Sequence, residues 1–311
     1  MTKLVAIVGA TGLQGSSVLK SLHATGKYKL RALSRNPDGK QAASLKAKYS
    51  GVEWVPANLD DTASLRKAFQ GVNTVFGVTQ FFQKDIMDRV EHGDVDAEFN
   101  QGKNIIDAAI AVGVDSIVLS SIDSMKQLSH GKYTGVLHFE GKHKVEEYLT
   151  SLSDKVKGYF VYLGFYMENF VDFSRISPED NKTVEFTVPL KPTTKLPLVD
   201  TANDTGPVVA YILEHPEECL GTVVEASGGY YEAQDMAKAF TEVTGKPSRY
   251  VQIPYESIGS DELSQMFRGQ DEFGYYGGRT EFIERNKEIG HTFATPTSFW
   301  KNRGWTGPSS K

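Results

Sequence analysis

Five apolar residues, Leu4 to Val8, run directly into Gly9-Ala10-Thr11-Gly12-Leu13-Gln14-Gly15. The run has the length of one buried strand, and the glycines allow a sharp turn after it. Behind the turn, Gly15, Val18, Leu19 and Leu22 recur at i, i+3, i+4 and i+7, which is one face of a helix. A strand, a glycine turn and a helix are therefore predicted in that order. Gly9 lets the chain leave the strand, Gly12 lets backbone approach a pyrophosphate, and Gly15 lets helix and strand touch. The free N–H groups at the helix start, carrying about half a positive charge, attract phosphate.

The next predicted strand, Leu30 to Leu33, ends in Ser34-Arg35-Asn36-Pro37, about twenty residues beyond the last glycine. A carboxylate there would bond the adenosine ribose of NAD and repel the 2′-phosphate of NADP. Arg35 stands there instead, with Lys40 nearby, and a guanidinium fork matches phosphate oxygens. NADP(H) is the expected cofactor.

Further strands are predicted at Val52–Val55, Asn73–Val78 and Ser116–Ser120. After the first of these, Asn58 or Leu59 is placed to touch the adenine, and Asp60 or Asp61 to cap a helix. After the second, Thr79, Gln80 and Phe81 fall on the carboxyl edge where parallel sheets bind ligands. A long helix is expected from Val90 to Ala111, with Val95, Phe99, Gly102, Ile106, Ala109 and Ile110 facing inward.

A helix beginning near His138 turns Val145, Tyr148, Leu149 and Leu152 inward, and Lys142 lies within about 20° of that face. Lys144 points the other way. A lysine facing inward needs a partner, which makes Lys142 a candidate site residue. The strand Gly158–Leu163 then leads to Tyr166-Met167-Glu168-Asn169, placed either at the nicotinamide end of a dinucleotide or at the start of a short helix.

Strands alternating with helices imply an α/β chain with a doubly wound, mostly parallel Rossmann sheet. Prolines and short extended pieces beyond Ser174 point to a smaller C-terminal α+β substrate lobe. The expected division is a nucleotide domain over 1–155, then remaining sheet strands interleaved with the lobe over 156–311. Within that lobe Gly274-Tyr275-Tyr276-Gly277-Gly278 reads as an aromatic, mobile segment.

A net charge of −5, from 34 basic and 39 acidic residues, gives direct nucleic-acid binding little electrostatic support. No apolar run approaches the ~20 residues that cross a bilayer. The single cysteine, Cys219, and an N-terminus without a signal-peptide pattern make the cytoplasm the default expectation, with a nuclear share left open. The histidines form no metal pattern; His138 and His143 point roughly 140° apart on one helix.

Taken together, Gly9 to Gly15, Ser34 to Pro37, His138-Phe139-Glu140-Gly141-Lys142 and Tyr166 to Asn169 resemble the NmrA-like family of atypical short-chain dehydrogenases. That family includes NADP-binding redox sensors and transcriptional co-regulators, with isoflavone reductase-like enzymes among its relatives. The resemblance implies that Gly9, Thr11, Gly12, Leu13, Gln14 and Gly15 hold the pyrophosphate, and that Arg35, Asn36 and Lys40 hold the 2′-phosphate. It further implies that Asn58 and Leu59 flank the adenine and that Thr79, Gln80 and Phe81 run beside ribose and phosphates. Tyr166, Glu168 and Asn169 then belong to a nicotinamide-side loop, and Lys142 matches the lysine of the Tyr-x-x-x-Lys pair. The departure is His138, which stands where that pair has its tyrosine.

Two readings follow. One is an NADPH-dependent reductase of a carbonyl, imine or activated double bond, with Lys142 and His138 as catalytic candidates and a small-molecule substrate. The other is a non-catalytic NADPH/NADP sensor that regulates a protein partner. Either admits a homodimer.

Overall fold

The computed structural model describes residues 2–308, and these divide into two compact units. The first takes the chain up to Ile122, then Leu137–Tyr162 and Thr205–Val224. The second takes Asp123–Val136, Leu163–Asp204 and the described residues from Glu225 onward.

The first unit is built on strands β1 (Leu4–Ile7), β2 (Lys29–Ser34), β3 (Glu53–Pro56), β4 (Thr74–Gly77), β5 (Ser116–Ser121) and β6 (Lys157–Leu163). With Val223–Ala226 they form a seven-stranded sheet in the order Val223–Ala226, β6, β5, β4, β1, β2, β3. Every neighbouring pair from β6 to β3 is parallel. The doubly wound Rossmann sheet expected from the sequence is thus the observed one. Val5, Ala6, Ile7, Val75, Phe76, Ile117 and Val118 are almost wholly buried, because a parallel sheet is covered on both faces. That is why its strands read as unbroken apolar runs. Strand order reverses between β1 and β4, and such a reversal opens a crevice at the carboxyl ends of those two strands.

Helices α1 (Leu13–Thr25), α2 (Lys40–Lys48) and α3 (Thr62–Ala68) follow the first three strands. Asp61 caps α3, its carboxylate accepting from the N–H groups of Ala63 and Ser64 at 2.9 and 3.1 Å. Asp60 has another task, bonding Arg89 and Gln101 at 2.8 Å each.

The single helix expected over Val90–Ala111 is in fact two, α4 (Lys84–Glu91) and α5 (Ala97–Ala111). Gly93 takes a left-handed φ of 96°, and Arg89 clamps the Asp94 carboxylate through Nε and Nη2 at 2.9 and 2.7 Å. The break also shifts the phase. Val95 is exposed, and the inward face of α5 runs through Glu98, Gln101, Gly102, Ile105 and Ala109. After the short α6 (Met125–Leu128) of the second unit comes α7 (Leu137–Ser151), which belongs to the first. Helices α5 and α7 lie close, for a Cβ on Gly102 would fall 2.3 Å from a Val145 methyl carbon.

The second unit carries two three-stranded sheets. One orders Tyr230–Glu232, Lys195–Val199 and Phe165–Tyr166; the other orders Ser248–Gln252, Val184–Val188 and Ser174–Ile176. The helix Pro296–Arg303 packs on Asp235–Thr244, where the Trp300 indole N–H donates to Met236 O at 2.8 Å. The tyrosine segment expected to be mobile is instead interior: Tyr276 is fully buried and Tyr275 nearly so. Their rings pack edge-on against each other and against Phe165 and Phe282, and that apolar contact outweighs the freedom of the flanking glycines. Among the described residues no helix is long and apolar enough to cross a membrane.

Candidate functional site

In the first unit the glycine turn joins β1 to α1 at the edge where strand order reverses. Gly9 has a φ of 63°, which favours glycine. Gly15 has no room for a side chain, since a Cβ there would lie 2.2 Å from Gly9 O. Helix α1 starts at Gly12 with no side-chain cap and no acidic residue in its first turn. An uncapped helix start on this edge fits a diphosphate.

At the end of β2, Arg35 is exposed and makes no hydrogen bond or ion pair with any described residue; the same holds for Lys40. Asp38, which lies between them in the chain, is paired with Lys46 at 3.1 Å. Asn36 donates its backbone N–H to Ser34 Oγ at 3.2 Å. Asn58 folds an Asx turn, its Oδ1 accepting from Asp60 N at 3.1 Å, and Leu59 O accepts from Asn104 at 2.8 Å. Gln80 is exposed and bonds Gln83 at 2.9 Å, while Phe81 is buried against Ile86 and Ala97.

Lys142 is brought onto the end of β4. Its Nζ donates to Thr79 O and Thr79 Oγ1 at 3.1 and 3.2 Å and to Glu98 Oε1. Thr79 Oγ1 in turn donates to the same Glu98 oxygen at 2.8 Å. The Glu98 side chain is 2% exposed and that of Lys142 17%. The inward position of Lys142 read from periodicity therefore has its partner, a carboxylate on α5 that sequence reading missed. The signal was available: Glu98, Gln101, Gly102 and Ile105 stand at i, i+3, i+4 and i+7, but a helix phased from Val95 hid it.

His138, one turn before Lys142, sits among aromatic rings, with centroids 5.8 Å from Phe81, 5.0 Å from Phe82 and 4.7 Å from Phe139. Among the described residues no cluster of three or more His, Cys, Asp or Glu could hold a metal.

Tyr166, Glu168 and Asn169 belong to the second unit. Tyr166 pairs with Val199 in a short sheet. Glu168 is buried and caps the helix Thr201–Glu214, accepting from the N–H groups of Ala202 and Thr201 at 3.2 and 3.3 Å. Burial pushes its carboxyl above the usual range, and nearby Asp200 adds to the shift. Asn169 opens the four-residue helix Asn169–Asp172. Two residues past the end of β5, a cavity of about 440 Å³ opens within this unit among Asp123, Gln127, Leu128, His130 and Phe273. His130 there holds a left-handed φ of 52°. Asp123 is clamped by Arg279 at 3.1 and 2.6 Å, and Arg279 and Arg285 both reach buried Glu225.

The family model described as the NmrA-like family matches residues 1–301. The chain belongs to the NmrA-like family. It is 30% identical over 297 residues to the NmrA-like family domain-containing oxidoreductase ptmS of Penicillium ochrochloron, spanning 89% of this chain and 86% of the relative. To the corresponding oxidoreductase cpsB of Aspergillus campestris it is 33% identical over 275 residues, 83% of this chain and 78% of the relative. Its fold is similar to that of the negative transcriptional regulator NmrA in complex with NADP, with a TM-score of 0.79 at 22% identity over 97% of this chain and 95% of that one. It is also similar to an NADPH-dependent quinone oxidoreductase of Escherichia coli complexed with NADPH, with a TM-score of 0.72 at 22% identity over 96% and 99% of the two chains. For this NmrA-like chain the likeness to solved structures speaks to fold.

Proposed function

We propose that this NmrA-like chain binds NADP(H) and is an oxidoreductase acting on a carbonyl, imine or activated double bond. The observation that carries the reading is Arg35, an exposed cation without a partner among the described residues, standing with Lys40 on the edge that also holds the uncapped start of α1. The residues fit the cofactor: Gly9 to Gly15 hold its diphosphate and Arg35 with Lys40 its 2′-phosphate. Bound there, NADPH supplies the hydride. The Lys142 ammonium gives hydrogen bonds at the end of β4 and is the available proton donor, because His138 replaces the usual tyrosine and is packed among Phe81, Phe82 and Phe139. The names of the fungal relatives and the NADPH-bound quinone oxidoreductase support the same reading.

The loss of tyrosine at 138 and the fold shared with a transcriptional regulator favour a second reading, a sensor of the NADPH/NADP ratio. Such a sensor needs different affinities in its two states. Calorimetry with NADPH and NADH tests the cofactor first. Arg35→Ala is expected to weaken NADPH about ten-fold, roughly 1.4 kcal/mol, and to leave NADH unchanged; equal losses would remove Arg35 from the phosphate site. Oxidation of NADPH over a panel of aldehydes, quinones, enones and imines then separates the readings. Turnover supports the reductase, whereas silence with a cofactor-dependent change of size in light scattering supports the sensor.

A further inference from the structure

We propose that Glu98 is a positioning residue for Lys142, fixing the place of its ammonium at the end of β4. The proposal rests on reading the first unit as the NADP(H) site. Three features carry it. A lysine ammonium has three N–H donors, and here Thr79 O, Thr79 Oγ1 and Glu98 Oε1 engage all three. Glu98 is a carboxylate in the first turn of α5, almost wholly buried, whose only cationic partner among the described residues is Lys142. Its other oxygen, Oε2, is buried with no hydrogen-bond partner among the described residues, so the ammonium and the Thr79 hydroxyl on Oε1 are its whole support among them.

The three bonds differ in how readily they yield. The bond to Glu98 joins two charges, and such bonds are roughly twice as strong as neutral ones. The bonds to Thr79 are neutral on the acceptor side and long, at 3.1 and 3.2 Å. A ribose or substrate hydroxyl that takes an N–H from Lys142 therefore displaces a Thr79 bond, while Glu98 keeps the ammonium in place. The short His138-Phe139-Glu140-Gly141-Lys142 motif gains a physical reason from the same contact. A Cβ at position 141 would lie 3.1 Å from Glu98 Oε2, so glycine leaves the carboxylate its room.

The test is a double-mutant cycle on NADPH affinity, read by calorimetry without any substrate. Glu98→Gln keeps the shape and an acceptor but removes the charge. It is expected to weaken NADPH about ten-fold in the wild-type background and to have no further effect in Lys142→Met. Gly141→Ala provides a second handle, because alanine is the better helix former and the variant folds even if Glu98→Gln does not. It is expected to weaken NADPH a few-fold, again only while Lys142 is present. Losses that persist in Lys142→Met, or unchanged affinity in both single variants, would overturn the role of Glu98. Wild-type protein giving no heat with NADPH would instead overturn the nucleotide reading.

Discussion

Glu98 in the first unit and Glu225 in the second are both buried carboxylates, yet they are held differently. Glu225 receives Arg279 on one oxygen and Arg285 on the other, and Asn286 bonds its backbone carbonyl. Glu98 has one ammonium and the Thr79 hydroxyl on one oxygen and nothing among the described residues on the other. A carboxylate held on both oxygens by guanidinium groups from two positions of the chain is a cross-brace. A carboxylate with a single, partly exposed lysine holds a charge ready for use.

The comparison breaks most visibly if both arginines are removed together. Arg279→Met with Arg285→Met strands Glu225 and frees Asp123, and about 3–5 kcal/mol of stability is expected to be lost in urea denaturation. A loss near zero would mean that water, not the arginines, satisfies Glu225. Lys142→Met strands Glu98 in the same way, but it removes one ion pair where the double variant removes three, so about 3 kcal/mol is expected. Adding Glu98→Leu should recover most of that stability without recovering NADPH affinity. Recovery of neither would show that packing around α5, not charge, was lost.

The smallest effects sharpen the contrast through pH. Burial pushes the Glu185 carboxyl up, but the guanidinium groups of Arg249 and Arg175 outweigh it and hold the group below its ordinary range. Its contribution is present above the ordinary carboxylate range and fades as pH falls through the lowered value. The melting deficit of Arg249→Met should therefore be larger near neutral pH and shrink on acidification. Glu168 is shifted the other way by burial, so its contribution is present in acid and fades as pH rises. Glu168→Gln should gain melting temperature relative to wild type between about pH 4 and pH 7. Parallel pH curves for either variant would remove its carboxylate from the account.

Much of this was legible in the residues. A parallel strand covered on both faces must read as an apolar run, and Leu4 to Val8 does; the Gly15 contact falls instead on the turn, at Gly9 and Ala10. The inward side of Lys142 followed from its spacing to Leu149, and an inward lysine requires a partner. What local periodicity could not supply was the break at Gly93, made by a clamp between Arg89 and Asp94 rather than by a proline. That break reset the phase of α5 and hid Glu98. The burial of Tyr275 and Tyr276 was equally out of reach, because flanking glycines signal freedom while the packing that removes it comes in part from Phe165, far back along the chain. The cluster of Asp123, Arg279, Glu225 and Arg285 joins residues 54 to 156 positions apart, and no spacing announces it.

The chain passes between the two units five times, at 122, 136, 162, 204 and 224. A ribosome must therefore deliver Val223–Ala226 before the seven-stranded sheet has its last member, so the amino-terminal half waits unfinished while most of the polypeptide is made. A gene fragment stopping near residue 155 would yield a sheet without β6 and the returning strand, with β5 left as a bare edge open to aggregation.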